Sequence, residues 1–229
     1  MVIGVIPARL ESTRFPRKIL FPIRNKPMIM HVYERALKSQ KLDRVIIAVD
    51  SQETIDALKD FGVEVMMTSS KHQSGTDRIA ETVVDIDADI IINIQGDEPM
   101  LDPKMIDELV SLFDDSTVDM ATLASTVIDG EDFKNPNVVK VVLDQHQNAA
   151  GFYRIIPDFS KKHFRHIGIY GYRKNTLENF TKLKQSKNEK FLHLEQLRAL
   201  DNGIAIRVAI CDFSYRGIDI PEDLKQLNL

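Results

Sequence analysis

The chain has 229 residues, 43% hydrophobic and 28% charged, with a formal net charge of −4. That length holds one large domain or two small ones, and a core of this size needs no disulfide or metal staple. The mild acidity excludes a general nucleic-acid surface, which calls for a net basic domain. A single cysteine excludes a disulfide framework and fits a reducing cytoplasm. No apolar stretch approaches ~20 residues, so no membrane span is expected. Arg9 cuts the first apolar run too short for a signal peptide.

Taken in chain order, apolar runs alternate with helical patterns. The runs at 2–6, 45–49, 63–67, 90–94, 120–126, 138–143, 167–172 and 204–210 predict strands. The periodic segments 27–39, 52–61, 76–84, 103–113, 174–182, 189–200 and 221–227 predict helices. Ile90-Ile91-Ile92 is apolar without alternation, as in a sheet covered on both faces. Strand–helix–strand order over the first hundred residues predicts a parallel sheet with right-handed crossovers. Ser51, Asp102 and Asp219 read as helix N-caps, Pro103 as a first-turn proline, and Gly62 and Gly203 as helix stops. Residues 157–165 carry the least pattern and read as a mobile surface loop. Cys211, inside an apolar run, reads as a buried small residue.

Five segments carry chemistry. The first strand opens into 6–18, IPARLESTRFPRK, where Arg9, Arg14 and Lys18 lie between and beyond two stiffening prolines. These cations, with the N–H groups of Ser12 and Thr13, are suited to a polyphosphate; the plain alternative is a solvated basic turn. No Walker loop is present. In NIQGDEPM at 93–100, Asp97 stands where a parallel strand ends, a place to hold Mg²⁺ against phosphate. A polar turn is the plain alternative there. In GIDIPEDL at 217–224, Asp219 is either the second metal carboxylate or an N-cap before Pro221. HQSGTDR at 72–78 offers Ser74 and its neighbours at a helix start with Arg78 one turn in, which suits a base or ribose contact. Phe152-Tyr153-Arg154, RHIGIYGYR at 165–173 and LEQLRAL at 194–200 supply cations, a histidine, an acid and an amide. Such groups recognise a hydroxylated sugar acid, although His166 taken alone reads as structural. The other histidines lack metal-ligand spacing.

These segments, with KPMIMHVYERA at 26–36 and VKVVLD at 139–144, resemble the 3-deoxy-D-manno-octulosonate (Kdo) cytidylyltransferases over nearly the whole chain. The resemblance implies an α/β fold: one Rossmann-like nucleotidyltransferase domain over 1–229, with a mixed, mostly parallel sheet and a small dimerisation region. It implies CTP on the N-terminal loop, with its phosphates at Arg9, Ser12, Arg14 and Lys18. Ser74, Arg78 and Gln95 would meet the nucleoside end or the edge of the metal site. Asp97 and Asp219 would hold Mg²⁺ and, with Lys18, form the catalytic set. The sugar acid would lie among Arg154, His166, Tyr170, Glu195 and Gln196. The implied enzyme is a cytoplasmic homodimer making CMP-Kdo for lipopolysaccharide or capsule, without nucleic-acid partners.

Some positions depart from the family pattern. Arg17 replaces a usual glycine, which is expected to add charge beside the triphosphate. Gly151 and Tyr153 stand for a usual tyrosine and serine, and Leu192 for a usual acid. A related 3-deoxy-2-ulosonic acid therefore stays open as the substrate. A sialate-type cytidylyltransferase would differ around LEQLR and HIGIYGYR. A non-catalytic nucleotide-binding or RNA-binding module would tolerate loss of Asp97 and Asp219, and both acids are present.

Overall fold

The computed structural model describes residues 1–158, 160–213 and 217–227. The chain divides into two compact units, Met1–Asp107 with the C-terminal segment from Tyr215, and Glu108–Ser214.

The first unit contains β1 (Val2–Ala8), β2 (Pro22–Ile23), β3 (Lys26–Pro27), α1 (Met28–Ala36), β4 (Arg44–Val49), α2 (Gln52–Leu58), β5 (Val65–Met67), α3 (Gly75–Thr82) and β6 (Ile90–Asn93). β1 pairs in parallel with β4 on one side and β6 on the other, and β4 pairs in parallel with β5. The sheet order therefore reverses at β1, and ligands bind outside the carboxyl ends of strands at such a switch point. Ile3, Val5, Ile6, Ile91 and Ile92 are wholly buried, as expected of strands covered on both faces. Ser51 caps α2 by accepting from the Glu53 N–H, and Gly62 ends the following 3-10 turn with φ 64°. α4 (Pro103–Ser111) crosses the boundary between the units in sequence. The Lys104 N–H donates to the Asp102 carboxylate at its start.

The second unit holds β7 (Met120–Ser125), α5 (Gly130–Lys134), β8 (Lys140–Leu143), β9 (Ala149–Tyr153), β10 (Phe164–Arg173), α6 (Lys174–Lys182), α7 (Lys187–Leu192), α8 (Gln196–Asp201) and β11 (Ile206–Cys211). β11 lies parallel to β7; β10 is antiparallel to β7 and β8, and β9 is antiparallel to β8. The register of β10 slips between Ile167 and Tyr170. The Thr122 hydroxyl enters this bulge and donates to the Ile169 carbonyl at 2.7 Å. Cys211 is buried, and burial pushes its thiol pKa up. Among the described residues no helix is long and apolar enough to cross a membrane.

Three expectations need correction. The helix expected at 189–200 is two helices, α7 and α8, because His193 adopts a left-handed φ of 52° between them. Phe164 and Arg165, assigned to the surface loop at 157–165, begin β10; Phe159 of that loop lies outside the described residues. The C-terminal helix is a 3-10 turn, Pro221–Gln226, and Asp219 does not cap it. Asp223 does, accepting from the Asp219 and Ile220 N–H groups at 2.8 and 3.0 Å.

What returns the C-terminal segment to the N-terminal loop is a small apolar cluster. Ile218, 1% exposed, packs with Phe15, Ile23 and Met28, and Phe21, Leu224 and Leu227 cover it. The backbone joins in, with the Ile218 N–H donating to the Asp97 carbonyl at 2.9 Å. Truncation of Ile218 leaves a cavity in this cluster, so Ile218→Ala is expected to cost about 2–5 kcal/mol in urea unfolding. A loss below ~1 kcal/mol would show that the cluster does not anchor the segment.

Candidate active site

The loop after β1 is pinned from below. The Leu10 N–H donates to Asp50 Oδ1 at 2.9 Å, and Phe15 and Ile19 are buried. Arg9, Ser12, Thr13, Arg14 and Lys18 are left lining a cavity of about 350 Å³. His72, Gln73, Ser74, Gly75 and Arg78 supply a second wall, and Gln95, Gly96, Asp97 and Asp219 a third. All of these residues belong to the first unit. The volume lies within the range of small-ligand sites.

The carboxylates meet the cations inside this cavity. Lys18 Nζ is 2.5 Å from Asp97 Oδ2 and 3.7 Å from Asp219 Oδ1, and it donates to the Ile218 carbonyl at 2.8 Å. Arg14 holds Asp219 through both terminal nitrogens, at 2.9 and 3.3 Å. Gly96 lets the 95–97 turn run against β1, since a Cβ there would stand 3.3 Å from the Pro7 carbonyl oxygen. Among the described residues no group of three or more His, Cys, Asp or Glu side chains could hold a metal. Two carboxylates, completed by phosphate and water, are nevertheless a common Mg²⁺ arrangement.

The second wall is more committed to structure than the sequence suggests. Arg78 is 3% exposed, and its guanidinium donates to Thr68 Oγ1 at 2.5 Å and to Asp50 Oδ2 at 3.0 Å. The Ser74 hydroxyl caps α3, accepting from the Asp77 N–H at 3.1 Å. Gln95 donates its amide to Asn93 Oδ1 at 3.3 Å. His72 pairs with Glu81, whose pKa is lowered first by the Ser69 N–H and then by His72. Arg17 does not join Arg9, Arg14 and Lys18 in lining the cavity; it turns to pair with Glu53 at the start of α2. Its φ of 57° lies in the left-handed region that favours glycine.

Sequence reasoning missed Asp50, which joins the basic loop to α3 through Leu10 and Arg78. Its signal was available: like Asp97, it follows a parallel strand. His72 and Glu81 were also missed, and nothing in their spacing marks them.

The remaining candidates lie in the second unit. His166 packs edge-on to Phe152 with ring centroids 5.0 Å apart, and its Nε2 is 3.1 Å from Thr122 Oγ1. Desolvation lowers its pKa to about 3, so the imidazole is neutral near pH 7. Tyr170 is its neighbour, with centroids 5.5 Å apart. The Tyr170 hydroxyl is buried without a hydrogen-bond partner, and its pKa is raised well above the ordinary value by burial, then by Tyr172 and Glu195. Glu195 accepts from Arg198 at 3.4 Å, and Gln196 is buried in the first turn of α8. Arg154 is tied to the end of α7. It donates to the carbonyls of Leu192, Pro136 and His193 at 2.6, 3.0 and 3.0 Å. Neutral carbonyls leave its positive charge in place. Gly151 lies under the Tyr153 phenol, since a Cβ at 151 would come within 2.4 Å of the Tyr153 hydroxyl.

A cationic loop at the switch point of a parallel sheet, facing Asp97 beyond β6 and Asp219 of the C-terminal segment, suits the polyphosphate of a nucleotidyltransferase substrate. Residues 3–207 match the family model described as Cytidylyltransferase. The chain is 46% identical to the 3-deoxy-manno-octulosonate cytidylyltransferase of Thermodesulfovibrio yellowstonii, covering 98% of this chain and 96% of the relative. It is 42% identical to that of Geobacter metallireducens, over 99% and 96% of the two chains. Among solved structures, a CMP:2-keto-3-deoxy-manno-octonic acid synthetase complexed with CTP superposes with a TM-score of 0.93 at 39% identity, covering 99% of this chain and 96% of that one. A putative glucose-1-phosphate thymidylyltransferase from Bacillus anthracis, 18% identical with a TM-score of 0.72 over 100% and 94% of the two chains, shares the fold alone. The chain belongs to the 3-deoxy-manno-octulosonate cytidylyltransferase family.

The stacking of Tyr153 over Gly151 makes these positions a coupled pair. Gly151→Tyr alone should displace the Tyr153 ring and destabilise the protein. Gly151→Tyr with Tyr153→Ser should be more stable than the sum of the single changes by ~0.5–3 kcal/mol. Thermal unfolding of the four proteins measures this, and additive values would show that the positions are independent.

Proposed function

We propose that the chain transfers CMP from CTP to the anomeric hydroxyl of Kdo, releasing pyrophosphate and forming CMP-Kdo. One observation carries the reading: Lys18 Nζ is seated between Asp97 and Asp219 in a cavity walled by Arg9 and Arg14. Relatives named for this activity, matched over almost their whole length, support it.

Displacement at phosphorus asks for positioning and charge neutralisation more than for covalent catalysis. Arg9, Arg14 and Lys18 hold the triphosphate, and Ser12 donates a hydrogen bond to it. The sugar oxygen bonds to the α-phosphorus as the α–β bridging bond breaks, and the proton of the attacking hydroxyl passes to water. Lys18 stabilises the negative charge that builds on the leaving pyrophosphate. Asp97 and Asp219 would hold a divalent cation, Mg²⁺ by their oxygen chemistry. When bound, it neutralises phosphate charge and lowers the pKa of the attacking hydroxyl. Ser74, Arg78 and Gln95 shape the nucleoside end, with Arg78 acting through a wall that Asp50 holds rigid.

For the sugar acid, Arg154 supplies positive charge for the carboxylate. Neutral His166, the unpartnered Tyr170 hydroxyl, Glu195 and Gln196 supply hydrogen bonds. A related 3-deoxy-2-ulosonic acid is the second reading, favoured by Tyr153 standing over Gly151. Lipopolysaccharide or capsule assembly in the cytoplasm is the setting we assign. We also assign one cytidylyltransferase domain to 1–229.

Pyrophosphate release with CTP, UTP and ATP across a panel of 2-ulosonic acids tests the reading. CTP with Kdo should turn over fastest, and equal use of ATP would sink it. Asp97→Asn and Asp219→Asn should each keep the fold and lose at least ~10²-fold in turnover. Because Asp223 caps the last turn, an unaffected Asp219→Asn enzyme would remove Asp219 from the metal site.

The expected homodimer has a candidate surface in the second unit. Ile155 and Phe191 are 77% and 83% exposed, and the bond from Arg154 to the Leu192 carbonyl ties their neighbouring residues together. Phe191→Asp should shift sedimentation from dimer to monomer. An unchanged dimer would place the interface elsewhere.

A further inference from the structure

The carboxylates assigned above to the divalent cation are already matched by side-chain charge. Asp97 faces the Lys18 ammonium, and Asp219 faces the Arg14 guanidinium with Lys18 Nζ nearby. Two cations on two carboxylates leave no net negative charge to draw in a divalent ion. An oxygen in direct contact with an ammonium must also release it before ligating a metal. The ammonium is held by a third acceptor, the Ile218 carbonyl, on a residue packed in the apolar cluster. Its backbone is fixed as well, because Lys18 opens a 3-10 turn whose Ile19 is buried. Only the side chain is left to move.

Lys18 and Arg14 are also the groups assigned to the triphosphate. The same cations cannot fully satisfy both carboxylates and phosphates. We propose that nucleotide and metal bind by exchange of ion partners: the triphosphate draws Lys18 and Arg14 away from Asp97 and Asp219, and the freed carboxylates then ligate the divalent cation. Lys18 is thus the resident cation of the metal position until CTP arrives. The inference rests on the assignment of Asp97 and Asp219 as metal ligands. Linkage makes the effect reciprocal, so metal tightens nucleotide binding by the factor with which nucleotide tightens metal binding. Exposure ranks the two cations. The Lys18 side chain is 12% exposed and that of Arg14 is 63%, so Lys18 carries most of the coupling.

Mn²⁺ binding to the nucleotide-free protein, followed by electron paramagnetic resonance, tests the exchange. Lys18→Met keeps the aliphatic stem and removes the charge. It should bind Mn²⁺ at least ~10-fold more tightly than wild type, in the range of ordinary coupling between sites. Arg14→Gln, at an exposed position, should give a smaller gain and provides the same test if Lys18→Met folds poorly. Adding Asp97→Asn to Lys18→Met should abolish the gain. If neither cation variant binds Mn²⁺ more tightly, while Asp97→Asn still weakens Mn²⁺ binding in the presence of a non-hydrolysable CTP analogue, the exchange is wrong and the ligand assignment stands. If Asp97→Asn and Asp219→Asn leave Mn²⁺ binding to that complex unchanged, the ligand assignment fails and the exchange fails with it.

Discussion

The contact between the Lys18 ammonium and the carboxylates of Asp97 and Asp219 sets a problem that the rest of the first unit solves. Charges brought into a cavity lose hydration and must find partners there. Each of these groups comes from a different part of the chain. Lys18 follows β1, Asp97 follows β6, and Asp219 lies beyond residue 214. The Ile218 cluster supplies apolar burial that fixes Asp219, and the bond from the Ile218 N–H to the Asp97 carbonyl ties the two acidic segments together. On the other side Asp50 does comparable work, bonding the Leu10 N–H and the Arg78 guanidinium. Arg78 is too deeply buried to remain unpaired at acceptable cost, so Asp50 makes that wall possible.

Much of the first unit was legible because its strands are rich in valine and isoleucine. Runs such as Ile90-Ile91-Ile92 serve poorly in any other role, and the carboxyl ends of such strands are where the loop cations and Asp97 were sought. β9 was not legible. Ala149-Ala150-Gly151 lacks the branched side chains that mark strands, and it is a strand because β8 pairs with it. The break between α7 and α8 was hidden because His193 carries no glycine-like signal for its left-handed backbone. Asp219 was read as an alternative between cap and ligand because its place before Pro221 suits a cap; Asp223, equally close, makes that bond. Local sequence names the residues able to cap, and only tertiary packing decides which is available.

The sugar-side residues show the same limit from the other direction. Arg154 reads as a free cation, yet two of its hydrogen bonds go to the end of α7 and a third to the Pro136 carbonyl. Tyr170 was placed beside the sugar acid only through the resemblance, and nothing local in the sequence shows that its hydroxyl is left unpaired beside the bulge in β10. A buried hydroxyl without a partner is costly in isolation, and a ligand able to accept its hydrogen bond recovers that cost.

Arg17 connects the loop to its surroundings in another way. A left-handed backbone at a residue with a Cβ is unfavourable, and the side chain of Arg17 pairs with Glu53. That pair is exposed on both sides, so dissolved ions screen it. The residue after Arg17 is Lys18. Salt therefore acts on the link between this loop and the start of α2. The loop is thus held at its start by the largely buried Asp50 carboxylate, which salt hardly reaches, and near its end by a pair that salt weakens.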